Sequence, residues 1–252
     1  MIAEPLFYAA AIPAVTLMGL AKGGFAGLGL LSLPILALTV SPVQAAAIML
    51  PILLVQDVVT VWAYRRSWSA RAIALVTPGV LLGLAIGFLL AARVSDAAVK
   101  LAVGGISVAF GARRLWLEAR AATPAATRPG FGVASLWGVV CGFTSMIAHA
   151  GGPPFQIYLL PQRLPREVFV GTGAVFFAAV NWIKVPPYIL LGQFTPENLG
   201  TSAALFPVAL ASTLAGVWLV RRVPVERLYA IIYGLLVAVG LKLAFDGLTA
   251  LV

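Results

Sequence analysis

Ala148-His149-Ala150-Gly151-Gly152-Pro153-Pro154 interrupts an otherwise apolar run that extends from Phe131 to Leu160. How this run is read decides the fold. It is too long for one straight membrane helix, which takes about 20 residues, and too short for two. Glycine ends a helix readily and proline suits the first turn of the next. The run therefore reads as two half-helices that meet inside the membrane. Pro5 to Val40 has the same plan, broken at Gly23-Gly24-Phe25-Ala26-Gly27-Leu28-Gly29. The alternative is that each run is a single tilted, kinked helix.

Six further runs have spanning length: Val43 to Tyr64, Ala72 to Ala92, Ala98 to Trp116, Val168 to Leu191, Ser202 to Val220 and Val225 to Phe245. Composition agrees. Of 252 residues, 62% are hydrophobic and 10% charged, against about 45–50% and 25% in soluble domains. The expectation is an all-α polytopic membrane protein with eight hydrophobic segments. A net charge of +9 would point to nucleic acid in a soluble chain. Here the basic residues cluster in short loops between apolar runs, where they orient a membrane protein, and no nucleic-acid partner is expected. Met1-Ile2-Ala3-Glu4 has no basic stretch ahead of the first apolar run, so no cleavable leader is expected. Cys141, the single cysteine, excludes an internal disulfide or a cysteine metal cluster. Neither a metal, a cofactor nor an ATP-binding loop is expected, so a gradient must supply the energy.

Charge separates the two readings of the broken runs. If all eight runs cross, Arg65, Arg66, Arg71, Arg113, Arg114, Arg120 and Arg128 face Arg93, Lys100, Arg163, Arg166, Arg221, Arg222 and Arg227 across the membrane. That is no bias. If both broken runs return to their own side, only Arg93 and Lys100 oppose all the others, as the positive-inside rule prefers. The hairpin reading also permits non-helical tips, provided they are buried in protein or line a cavity.

The two halves resemble each other. Gly19 and Gly29 match Gly142 and Gly152, Asp57 and Tyr64 match Asn181 and Tyr188, and Pro78, Gly87, Arg93 and Gly105 match Pro207, Gly216, Arg222 and Gly234. Each half holds one re-entrant hairpin and three crossings, so the second is inverted relative to the first. The expected organisation is a first repeat at 1–118, a linker at 119–130 and a second repeat at 131–252. By the charge rule the linker is cytoplasmic and both termini are periplasmic, in a bacterial inner membrane. The oligomeric state is left open.

Four ionisable residues lie away from the ends of apolar runs: Lys22, Asp57, His149 and Lys184. Such residues are costly in lipid and by default mark function. Lys22 and His149 border the two glycine breaks, where helix N-termini can bind an anion. The site is therefore expected to comprise Lys22, Gly24 and Gly29 from the first tip and His149, Gly151, Gly152 and Gln156 from the second. Asn181 and Lys184, three apart on one helix face, complete it. Pro186 and Pro187 suggest that their helix is also broken. His149 or Asp57 would carry a coupled proton. Two bland readings stand beside this one: Lys184 pairs with Asp57 and only ties the halves together, and His149 is a satisfied structural imidazole. Ser145 and His149, four apart, also allow a hydrolase dyad, although no third residue and no Gly-x-Ser-x-Gly elbow accompany them. An anion channel would use the same groups.

With these residues in view, the sequence resembles the sulfite exporter TauE/SafE family. The resemblance rests on Ala148 to Pro154, then Phe169-Val170-Gly171-Thr172, Phe176-Phe177, Asn181, Lys184, Pro187-Tyr188 and Asn198-Leu199. It implies an eight-segment transporter of small sulfur-containing anions such as sulfite, sulfonates or thiosulfate, with proton coupling an option. Members differ in substrate and direction, so the resemblance leaves both open.

Overall fold

The computed structural model describes residues 1–25, 27–91, 93, 95–120, 127–220, 222 and 226–251, without the side chains at 118, 119 and 226–232. Ala26 of the first break, linker residues 121–126, Arg221 and the start of the last apolar run fall outside them.

All regular structure among the described residues is helical: α1 (Pro5–Gly23), α2 (Ser32–Leu36), α3 (Pro42–Tyr64), α4 (Ala70–Ala91), α5 (Asp96–Ala119), α6 (Phe131–Ala148), α7 (Gly152–Leu159), α8 (Arg166–Leu190), α9 (Pro196–Leu219) and α10 (Glu226–Thr249). Local chemistry sets the boundaries. Ser41 and Thr195 cap α3 and α9 by accepting from the Gln44 and Asn198 N–H groups, each followed by proline in the first turn. Among the described residues, six helices (α1, α3, α4, α6, α8 and α9) are long and apolar enough to cross a membrane. The run read as Ala98 to Trp116 forms α5, but charged residues at both its ends keep it out of that set.

Two expectations change. The broken runs are not pairs of half-helices, because α1 and α6 are themselves of candidate spanning length. Only the return legs are short: a 3-10 turn (Leu28–Leu31) and α2 in the first, α7 in the second. Nor is α8 broken. It runs unbroken through Pro186 and Pro187, which a membrane helix tolerates when neighbours re-satisfy the freed carbonyls.

Contacts at the helix ends show where each broken run begins and finishes. Thr127, ahead of α6, donates its N–H to the Pro161 carbonyl beyond α7 at 2.9 Å. Ile2, ahead of α1, donates to Thr201 Oγ1 at 3.0 Å, and Gln44, beyond α2, donates to Asn198 Oδ1 at 3.3 Å. Thr201 and Asn198 lie one turn apart on α9. Each broken run thus returns to the end of the molecule where it started. At the end where α3, α5 and α9 finish, Arg65, Arg120 and Arg222 lie over the rings of Trp62, Trp116 and Trp218 at 5.2, 4.2 and 4.5 Å. Such aromatic and basic pairs suit the headgroup level of a bilayer.

Small residues set the helix pairing. In α4, Gly79 and Gly83 lie against Ser135 and Val139 of the parallel helix α6, while Gly142 of α6 faces Val80. In α1, Gly19 and Gly23 lie against Ser212 and Gly216 of α9. Close backbone approach of this kind replaces the hydrophobic driving force that lipid removes. By contrast, a Cβ on either of the matched Gly105 and Gly234, on α5 and α10, would meet nothing within 4 Å among the described residues. α3 is the most enclosed of the six spanning candidates, and both tips and α8 are assembled around it.

The return of the second run is testable by labelling. With Cys141 replaced by serine, Gly130→Cys and Gln162→Cys are expected to react from one side of the membrane and Glu197→Cys from the other. Opposite-side labelling of Gly130→Cys and Gln162→Cys would make Phe131 to Leu160 a complete crossing.

Candidate functional site

Each tip is built by the way its long leg ends. α1 closes on Gly24 at φ 135°, with Gly24 N–H on Ala21 O and Phe25 N–H on Leu20 O. This is the paired bonding of a Schellman end, and its positive φ requires glycine. Lys22 is thereby left in the last turn, where its ammonium forms an ion pair with Asp57 of α3. The second oxygen of Asp57 accepts from Asn181 Nδ2 of α8 at 2.7 Å. The expected alternative pairing of Lys184 with Asp57 is therefore replaced: Asp57 answers Lys22.

α6 closes on His149 itself, in the left-handed region at φ 48°, which histidine tolerates better than bulky or β-branched residues. Its Nε2 lies 2.9 Å from the Ala46 carbonyl of α3. A carbonyl only accepts, so Nε2 carries a hydrogen. Nδ1 lies 2.6 Å from Lys184 Nζ, and Lys184 also donates to Ser145 O at 3.3 Å. Only one hydrogen fits between Nδ1 and Nζ. Either the ammonium donates to a neutral ring, or a charged ring donates to a neutral amine; two cations at this distance have no hydrogen bond. Both ring nitrogens are engaged by Ala46 and Lys184, so neither is left for Ser145 in the alternative dyad.

Between the tips and α8 lies a cavity of about 150 Å³, against the roughly 10–15 Å³ that one water requires. Lys22, Gly24, Gly29, His149, Gly152, Gln156, Asn181 and Lys184 all line it. Gly151 and Asp57 do not. Gly151 packs on α6, where its carbonyl accepts from Cys141 Sγ at 3.2 Å and a Cβ would meet Cys141 O at 3.0 Å. Asp57 stands behind the wall. The Phe155 N–H, in the first turn of α7, goes to Gly151 O rather than to the cavity. Apolar side chains that were not anticipated also line it: Phe155, Phe169, Val170 and Phe177, with Phe155 stacked on Phe176 at 4.2 Å. Spacing carries the signal for it. Val170, Gly173, Ala174, Phe177, Asn181 and Lys184 recur at three and four residues, one face of α8.

All of these residues fall inside the stretch, residues 11–243, that the sequence model of the sulfite exporter TauE/SafE family matches. The chain belongs to this family. No curated protein and no solved structure matches it. TauE/SafE membership makes the chain a multi-pass membrane transport protein and implies sulfur anions as its cargo. A cavity lined by two lysines, an amide and a histidine agrees with that chemistry.

Proposed function

We propose that this chain is a secondary transporter that carries a small sulfur oxyanion or organosulfonate through the cavity between its two tips. The observation that carries the reading is the convergence of Lys22, His149, Asn181 and Lys184, from three separate elements, on one cavity. An ammonium is a compact charge with rotatable donors, so the site can accept several anion shapes.

In this reading the fold is two inverted repeats of four segments, 1–118 and 131–252, joined at 119–130. Pairing supports it: α1 packs on α9 as α6 packs on α4, which exchanges equivalent elements between halves. The Arg–Trp end is cytoplasmic, both termini are periplasmic and the bilayer is a bacterial inner membrane, on the charge rule. The cavity reaches Phe169 and Val170 in the first turns of α8, so it extends toward that cytoplasmic end. Of the two residues considered for proton coupling, His149 is favoured, because both oxygens of Asp57 are already engaged. In this reading the hydrogen shared by Lys184 Nζ and His149 Nδ1 is the coupled proton: it loads with the anion and leaves with it, so the loaded pair carries one positive charge and one proton travels with one anion.

Flux into proteoliposomes tests this, measured for sulfite, thiosulfate, sulfoacetate, sulfate and chloride with and without a pH gradient. Saturable flux of a sulfur anion, stimulated by the gradient, is expected; non-saturating flux would mean a channel. His149→Gln should keep anion binding measurable and lose the stimulation. Unchanged stimulation in that variant moves the proton to the anion itself.

A further inference from the structure

The charges around the cavity are arranged unequally. Four ionisable groups face one another there: Lys22 from α1, Asp57 from α3, His149 at the end of α6 and Lys184 from α8. Neither α2 nor α7 brings a charged side chain to the lining. Lys22 and Asp57 form an ion pair and cancel. Lys184 and His149 hold one hydrogen between Nζ and Nδ1, so together they carry a single positive charge.

Asp57 is not simply a second wall group. Lys22 lines the cavity and Asp57 does not; their side chains are 11% and 2% exposed. The carboxylate reaches Lys22 and Asn181 from behind, so both keep a face toward the ligand while the field of Lys22 is cancelled. The rest of the wall is largely apolar, with Met18, Leu53, Phe155, Phe169, Val170 and Phe177. The cost of taking an ion out of water rises with the square of its charge, and apolar walls offset none of it.

We infer that Asp57 sets the valence of the transported anion, leaving the cavity one positive charge that matches a singly charged anion and not a dianion. The inference rests on the proposed anion site and adds to it a residue that determines specificity without touching the ligand. Asp57 is a positioning and charge-setting residue, and its effect is read as a preference between ligands, which a merely structural role would not move.

The test compares methanesulfonate, singly charged, with sulfate, doubly charged, as competing ligands of the purified full chain. The wild type is expected to prefer methanesulfonate. Asp57→Asn keeps the shape, uncovers Lys22 and should shift the ratio toward sulfate by about tenfold or more, as one added unit charge at contact distance in a partly wet cavity implies. Adding Lys22→Met to Asp57→Asn should restore the original preference. If Asp57→Asn does not fold, the comparison runs between Lys22→Met, expected to lose methanesulfonate, and the double variant, expected to regain it. Binding of both anions with an unchanged ratio in Asp57→Asn overturns the inference alone, as does a double variant no better than Lys22→Met. A wild type that binds neither anion overturns the proposed site, and the inference with it.

Discussion

Replacing Lys184 by methionine is expected to weaken anion affinity by about 10- to 100-fold. A hydrogen bond to a charged group contributes roughly 1.5–3 kcal/mol, and each 1.4 kcal/mol is about a decade in Kd. Lys184 is 1% exposed and touches His149 and Ser145 from the middle of α8, so no other cation stands in its place. Methionine suits the buried position, and the variant should insert and purify at normal yield. Lys184→Arg keeps the charge but carries a planar fork where a 2.6 Å contact to His149 now exists; partial activity with altered selectivity is expected. A purely structural lysine gives the opposite pattern, low yield with affinity intact. The second residue to vary alongside it is His149, because Asp57 is taken by Lys22. Affinity that survives in Lys184→Met places the anion elsewhere.

Adding a single methyl at Gly142 should be the more damaging change to stability. A Cβ there would lie 2.2 Å from the Val80 carbonyl and 2.9 Å from the Leu84 nitrogen. Both are backbone atoms of α4 and cannot rotate aside, so α4 and α6 must separate. Overpacking a core typically costs about 1–3 kcal/mol, and displacing two helices places Gly142→Ala at or above the top of that range. Gly234→Ala is the control. Its added methyl meets nothing within 4 Å among the described residues, and alanine is favoured over glycine inside a helix by roughly 0.5–1 kcal/mol. Thermal unfolding in detergent should therefore show Gly142→Ala well below the parent and Gly234→Ala at or slightly above it. Equal melting of the two variants would contradict the close α4–α6 approach.

Much of this was legible in residue order because lipid imposes simple constraints. Spans need length and apolarity, so the apolar runs are recognisable from residue order, and loop arginines need one side, which is the argument for reading the two broken runs as hairpins. The cost of burying an ionisable group singled out Lys22, Asp57, His149 and Lys184 before any geometry was available. Three of these four line one cavity and the fourth is bonded to its wall.

What the sequence by itself determined is therefore the membrane class, the broken runs and the short list of ionisable residues around the cavity, since each follows from the cost of placing a given side chain in lipid. Partners were decided only by tertiary structure. Asp57 was a plausible mate for Lys184 by repeat position, yet α1 brings Lys22 to it and α6 brings His149 to Lys184. The length of each leg was likewise hidden, because glycine marks where a helix ends without saying how far the chain continues afterwards. The same holds for Pro186 and Pro187, which break an isolated helix but not α8, packed between α3 and α4. Pairing, leg length and the aromatic wall all depend on which helix faces meet, and that is settled by packing between distant segments, which local sequence does not encode.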